Sequence, residues 1–498
     1  MRFILWLTMV ALACGGSKVA PVNFDPVPDA GSGSVTPPAS DAGAATDAGE
    51  VIDGGPSPDA GSIPDAGAPD AGNPSDGGTI ASITTDACPA NPPLLWTRSI
   101  TTADVDFRGA TDESGNLYWI EYEPPWTPQN QHPPAFLTSA DSNGQNRFRV
   151  SAQMAPAQLT GSFMVAYGKV FMASGAELAA YDAATGALSW TVDLSSTFSG
   201  GSVNGVADAG KGKLVFGVGS DQLSAVYEVD ANTGAVIWSK VSSVDKGFTV
   251  LGTDGKGSVL VRANFTDTGS PGFDILWDYL QLDAAGHEQW RERGIHAGRL
   301  LAWPSGLPWL ETYSTSISSN GHFVSAPAWW FSVALGDDFG FAFDSATLNP
   351  FPLGISALRG SRVVATGLLP QLNTFNGVSV FPFLAGNHAV FLSQVFHQQA
   401  GLCHPSRAGA AFIGHVDTSH MYLCPIALGT SDSPIDGVAL LPGRLIIGRR
   451  TVLNEGCGAN QFQPFTIEAY SLPGESLSTS GWVQRGGSPG LGGRPAKP

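Results

Sequence analysis

The sequence predicts an all-β chain: a β-propeller of four-stranded blades, eight favoured and seven the alternative, preceded by a disordered tether. Three observations predict it. From residue 88 onward, short runs rich in Val, Leu, Phe and Tyr alternate with Gly, Asn and Asp, and no long stretch keeps a helical apolar period. A turn followed by an aromatic strand recurs along the first half of that region. The residues before it have a wholly different composition.

The chain opens on Arg2 and an apolar run, Phe3 to Ala13, that ends at Ala11-Leu12-Ala13-Cys14-Gly15. Such a run is too short to span a bilayer. The positive start, the short apolar segment and the small residues before a cysteine resemble a bacterial lipoprotein signal peptide, residues 1–14. Ala11 stands where that class usually carries Leu, which leaves a plain secretory signal as the alternative. The resemblance implies cleavage before Cys14 and lipidation of that residue. Gly15, in place of the Asp that retains such proteins at the inner membrane, points to the outer membrane. Several acyl chains at ~0.8 kcal/mol per buried methylene make a lasting anchor.

Residues 15–87 read as linker. Asp-Ala-Gly recurs at Asp29, Asp41, Asp47, Asp59, Asp65 and Asp70, with Asp-Gly-Gly at Asp53 and Asp76. Large apolar residues are nearly absent after Phe24, so burial cannot offset the entropy of ordering. Eleven acidic residues against Lys18 give the segment about −10 of the net −18. A flexible coil of this length spans roughly 45–50 Å r.m.s., and self-repulsion extends it. The irregular spacing lacks the alternating apolar residue that a stacked calcium-binding roll needs, so the segment reads as a spacer.

Residues 88–498 form the folded body. Ala180-Tyr181-Asp182-Ala183-Ala184-Thr185-Gly186-Ala187-Leu188-Ser189-Trp190 returns as Glu228-Val229-Asp230-Ala231-Asn232-Thr233-Gly234-Ala235-Val236-Ile237-Trp238. Fainter copies run from Leu282 to Trp290 and from Ala140 to Phe148. The closing aromatics Phe148, Trp190, Trp238 and Trp290 lie 42, 48 and 52 residues apart, the period of a four-stranded blade. Asp and Gly supply the turn, with Gly in the positive-φ position, and the aromatic that follows can pack between neighbouring blades. The unit resembles the pyrroloquinoline-quinone (PQQ) repeat of quinoprotein-like propellers.

The ring also closes in the sequence. Pro93-Leu94-Leu95-Trp96 reads as the last strand of a blade, with Trp96 lying 52 residues before Phe148. Its partners stand at the far end: Gly437 to Leu441, Arg444 to Ile447 and Thr466 to Leu472. Beyond them, Gly481 to Pro489 resembles a Trp-Pro segment that flanks many bacterial propellers of this type. Four closures, three faint blades between residues 300 and 435, and the shared blade make eight. Setting Cys14 aside leaves Cys88, Cys403, Cys424 and Cys457, an even set in an oxidising compartment. The expected pairs are Cys403–Cys424 within one blade and Cys88–Cys457 across the closure.

Function is less legible. A quinoprotein dehydrogenase needs a vicinal Cys-Cys pair over its cofactor, and the sequence holds no adjacent cysteines and no Cys-x-x-Cys-His. Neither cofactor-binding nor catalytic residues are expected. His388, His397, Cys403, His404, His415, His420 and Cys424 crowd 37 residues, and His and Cys are zinc ligands. The spacing matches no finger, so the expectation is a disulfide-stapled loop and no metal. Trp303, Trp309, Trp329 and Trp330, with Phe331, Tyr313 and His322, offer a ligand face for stacking on a sugar or a partner, against the alternative of blade packing. Glu121 to Trp126, in a Pro-rich insertion running to Pro134, is a second candidate surface loop.

No phosphate-binding Gly-x-x-x-x-Gly-Lys-Ser/Thr loop and no His-Glu-x-x-His occurs. The acidic body argues against nucleic acid and against charge-driven binding to anionic lipid. The reading is therefore an outer-membrane lipoprotein in the cell envelope, periplasmic or surface-exposed. Its propeller is a non-catalytic scaffold for another envelope protein, similar in architecture to the propeller lipoprotein of the barrel-assembly machinery. The alternatives are a binding module for surface polysaccharide or a small ligand, and a degenerate quinoprotein-type enzyme.

Overall fold

The computed structural model describes residues 80–478 apart from 124–133, 153–162, 266–275, 297–298, 303–308, 312–315, 320–321, 326–329, 336–338, 346–352, 360–361, 370–376, 398–406, 427–434 and 451–463. The chain divides into Met1–Asp70 and Ala71–Pro498, and every described residue belongs to the second unit. The signal segment with Cys14, the tether up to residue 79, Gly481 to Pro489, Trp303, Trp329, Cys403 and Cys457 lie outside the described residues.

The turn chemistry of the repeat builds the hairpins. Asp182 Oδ1 accepts from the Ala184 and Thr185 backbone N–H groups at 3.1 and 2.9 Å and from Thr185 Oγ1 at 2.8 Å. The Gly186 N–H donates to Asp182 O at 2.8 Å, with Gly186 at φ +75°. Asp230, Thr233 and Gly234 repeat the same set. The Thr185 hydroxyl and these backbone donors hold the Asp182 carboxyl below its ordinary value. One side chain thus satisfies the turn's donors and sets where the outermost strand begins.

Eight sheets result, and among the described residues every regular element is a strand. Blade 1 runs from Asp104–Thr111 to Asn146–Ser151 and blade 2 from Phe163–Ala166 to Leu188–Asp193. Blade 3 runs from Ser202–Gly210 to Val236–Ser242 and blade 4 from Lys246–Thr253 to Glu288–His296. Blade 5 spans Arg299–Ala302 to His322–Ser325, blade 6 Trp330–Leu335 to Arg362–Leu368, and blade 7 Gly377–Ala385 to His420–Ile426. Blade 8 joins Ile435–Leu441, Arg444–Arg450 and Phe465–Ser471 to Leu94–Ile100, which pairs antiparallel with Phe465–Ser471. The expected eight blades and the shared closing blade are both present.

Apolar clusters lie between successive blades. Tyr118 and Leu137 meet Val170 and Tyr181; Phe171 and Leu178 meet Leu214 and Phe216; Val215 and Val226 meet Val250 and Leu280. Farther on, Phe343 packs on Phe391, Leu392 on Ile447, and Phe465 on Phe107 back in blade 1. The strands of blade 5 touch the first strands of blades 4 and 6. The contacts therefore link successive blades in order and blade 8 to blade 1, mostly through their first strands. A fully buried Phe in such a seam contributes about 1.5–3 kcal/mol over an exposed one.

The repeat aromatics act across these seams. A Cβ on Gly186 would stand 2.7 Å from the Phe148 ring, one on Gly234 2.8 Å from Trp190, and one on Gly286 2.7 Å from Trp238. The closing aromatics of blades 1 to 3 thus rest on the turn glycine of the blade that follows, which explains why the Asp-x-x-Thr-Gly turn and the aromatic travel together. Trp190 adds an N–H donated to Ala231 O at 3.1 Å.

Two expectations are corrected. Part of the segment read as linker to residue 87 is strand: Ala81–Ser82 pairs parallel with Arg362–Leu368 of blade 6, and Thr84–Ala87 pairs parallel with His420–Ile426 of blade 7. Ile83, buried between them, supplies the burial that the Asp-Ala-Gly tract lacks. The disulfide is also different. Cys88 joins Cys424, with Cα atoms 5.1 Å apart, rather than Cys88 to Cys457 and Cys403 to Cys424. The parallel pairing of Ala87 with Leu423 brings Cys88 beside Cys424 and decides the partner.

Candidate functional site

A concave site lies where blades 7 and 8 meet, a cleft of about 570 Å³. Three turns at the same end of the two sheets supply its chemistry. His388 begins the strand that follows the Ala385 hairpin, where Gly386 takes φ +64°. His415 stands one residue before the end of Arg407–Val416, opposite Tyr422. Glu475 follows the last strand of blade 8, on the turn Leu472-Pro473-Gly474. Its carbonyl accepts from Gly443 N at 2.7 Å, and Ser478 N donates to Leu384 O of blade 7 at 2.8 Å. The chain after blade 8 is thus stitched across the seam, and this places the carboxylate over the two imidazoles.

His388 Nε2 lies 2.7 Å from Glu475 Oε2, and His415 Nδ1 lies 3.3 Å from Oε1. The two rings are nearly parallel, with centroids 6.5 Å apart. Burial alone would raise the Glu475 carboxyl, but hydrogen bonds and charge from His388 and His415 outweigh it and hold the group at about 2. The same hydrogen bond raises His388 above its ordinary value against the opposing effect of burial, with Asp417 adding a smaller push. The carboxylate is therefore in close contact with both imidazoles.

The far wall is Pro89 to Pro93, the stretch just after the Cys88–Cys424 disulfide. His420 and Tyr422 complete the cleft, their rings 6.5 Å apart, with His420 Nε2 3.9 Å from Asp86 Oδ2. Among the described residues, His388, His415 and Glu475 are the group of His, Cys, Asp and Glu side chains placed to hold one metal ion.

The histidine-rich stretch is thus divided by the fold. His388, His415, His420 and Cys424 converge on one cleft, His397 ends its strand farther along, and Cys403 and His404 lie outside the described residues. Sequence reading missed Glu475; the only signal was the Pro473-Gly474 turn after the final strand. Trp309 lies in Trp309–Glu311 of blade 5, paired with Ala302 and Ile317, and Trp330 opens blade 6 opposite Asp344. Trp303 and Trp329 lie outside the described residues. Glu121 and Tyr122 belong to a strand rather than a loop. Glu121 is buried and accepts from Trp119 Nε1 at 2.9 Å and Arg149 Nε at 2.7 Å.

Comparison with known proteins places the repeats. No curated protein sequence gives a significant match. The chain is similar in structure to the quinohemoprotein alcohol dehydrogenase from Comamonas testosteroni, at 14% identity and a TM-score of 0.38, covering 78% of this chain and 77% of that one. It is similar to the β-propeller domain of the Trilobed protease from Pyrococcus furiosus, at 10% identity and a TM-score of 0.40, covering 75% and 97%. The Dos1 propeller matches at 10% identity and a TM-score of 0.35, covering 76% and 79%. Residues 109–264, which span blades 1 to 3 and the first half of blade 4, match the family model described as outer membrane protein assembly factor BamB, so this stretch carries repeats of the PQQ/BamB type.

Proposed function

We propose that this chain is an outer-membrane lipoprotein, anchored through Cys14, whose propeller is a non-catalytic scaffold docking another envelope protein. The observation that carries the reading is the match of residues 109–264 to the BamB description. The signal segment and the long acidic tether fit the same placement, since they would hold a folded body clear of a membrane.

The outer edge of blade 3 supports a docking role. Val236, Ile237, Val241 and Val244 are exposed along and just after its outermost strand, Val244 by 84%. An apolar row on an unpaired strand edge is the feature that accepts a partner strand. Blades 6 and 7 show the geometry is usable, because each accepts an extra strand from residues 81–87 on its outer edge.

The test is in-cell cross-linking of the tagged, full-length protein from positions on Val236–Ser242, with mass spectrometry of the captured species. A reproducible envelope partner that is lost when Val241 is changed to Asp supports the scaffold. Equal capture from this edge and from the opposite side of the ring rejects it.

A further inference from the structure

The cleft between blades 7 and 8 carries an inference beyond the scaffold reading and independent of it. We propose that His388, His415 and Glu475 form a mononuclear site for a borderline divalent transition cation, zinc foremost, with one coordination position open to the cleft.

The donor set selects the ion. Two imidazoles and one carboxylate suit zinc and its neighbours in the transition series, whereas calcium and magnesium require shells built mainly of oxygen. The geometry is nearly assembled. One donor atom from each of the three residues can be chosen so that all lie within 4.8 Å of one another. A tetrahedral zinc with bonds of about 2.0–2.1 Å holds its donors about 3.4 Å apart. The 3.3 Å between His415 Nδ1 and Glu475 Oε1 already meets this, whereas His388 Nε2 stands 2.7 Å from the other oxygen, Oε2, so the carboxylate must turn, or bind through both oxygens, to serve one ion. The ion would take the place of the direct His388–Glu475 contact.

Preorganisation comes from three independent anchors. The hairpin at Gly386 holds His388, the ladder opposite Tyr422 holds His415, and the backbone bonds of Glu475 and Ser478 hold the carboxylate against both. The Cys88–Cys424 disulfide pins the facing wall. With three protein ligands and about 570 Å³ of cleft beside them, the fourth position is left for water or for an anionic or carbonyl group of a bound molecule. That distinguishes the site from a closed structural zinc. All three side chains are partly shielded but not sealed, at 32%, 25% and 14% exposure, so the ion has a route in.

The experiment uses the full-length protein in detergent, stripped with a chelator and titrated with zinc chloride near neutral pH by calorimetry. The expected result is one ion per chain at micromolar affinity or tighter. Cobalt should give the visible spectrum of a four- or five-coordinate centre in the unaltered protein, a readout that needs no variant. His388→Gln and Glu475→Gln should each weaken zinc by about tenfold or more, while Cys403→Ser and His397→Gln leave it unchanged. Glu475→Gln is nearly isosteric, so circular dichroism with an unchanged sheet signal separates lost ligation from lost folding. Failure to bind one equivalent, zinc affinity untouched by Glu475→Gln in a folded protein, or affinity removed by Cys403→Ser would each overturn the site.

Discussion

Trp96, on the Leu94–Ile100 strand of blade 8, lies against Gly144 in the last turn of blade 1: a Cβ on that glycine would stand 2.9 Å from the indole ring. The Trp96 N–H donates to Ser142 O at 3.2 Å in the same turn. This is the seam where blade 8 meets blade 1. Arg450 reinforces the same junction from blade 8, reaching Asp436, Asp104 and the carbonyl of Val105. The closing contact is thus the same aromatic-on-glycine unit that couples blades 1 to 4.

Replacing Gly144 by Ala should cost about 2–4 kcal/mol, because it adds strain at φ +79° to a direct collision with Trp96. Gly186→Ala, against Phe148, should cost a similar amount. Chemical denaturation of the two variants checks this, and a Gly144→Ala protein as stable as the parent would refute the closing role of the contact.

Non-reducing peptide mapping should recover a cross-linked peptide containing Cys88 and Cys424. Converting both to Ser should lower stability by about 2–4 kcal/mol. Recovery of Cys88 bound to Cys457 would instead restore the pairing expected across the closure.

Ile83 fills the groove over Gly367, where a Cβ would stand 2.8 Å from its own side chain. Ile83→Ala should cost about 2–4 kcal/mol by leaving a cavity. Limited proteolysis between residues 71 and 92 should speed up in the same variant, because the short strands at 81–87 depend on that anchor.

The Arg291 guanidinium holds Asp245 through two hydrogen bonds, at 2.6 and 3.1 Å. Burial alone would raise the Asp245 carboxyl; hydrogen bonding and charge from Arg291, helped by Ser242 and Lys240, overcome this and hold it below its ordinary value. A carboxyl lowered by folding stabilises the protein above its unfolded value, and that contribution is lost as the pH falls through the folded value. Asp245→Asn should therefore cost about 1–3 kcal/mol near neutrality. The gap between the two proteins should narrow once the pH drops below about 4. Denaturation curves at a series of pH values check it; a gap that widens in acid would contradict the assignment.

Val241→Asp and Val244→Asp should leave stability within about 0.5 kcal/mol, since both side chains are exposed. They should reduce cross-linking to the proposed partner at the edge of blade 3. Loss of stability instead would assign these residues to packing.

The architecture was legible because its signals are local. Asp182, Thr185, Gly186 and Trp190 lie within nine consecutive residues, and each makes its turn bonds inside that span or its ring contact one blade away. A period of such units names the blade, counts it, and shows that Trp96 needs partners from the far end of the chain. Ile80 to Thr85 is a β-branched run whose strand character was also readable, yet the surrounding Asp-Ala-Gly tract masked it.

What only the tertiary structure decided is which distant residues meet. Cysteine parity in the sequence constrains how many bridges can form but not their partners; Cys88 finds Cys424 because Thr84–Ala87 happens to dock on blade 7. His388, His415 and Glu475 span 88 residues with no common motif. They converge because two adjacent blades end their hairpins at one rim and the chain after blade 8 folds back across the seam. Turn bonds act over a few residues and leave a pattern that repeats, whereas a site between blades depends on ring closure, a property of the whole chain that no short stretch of sequence encodes.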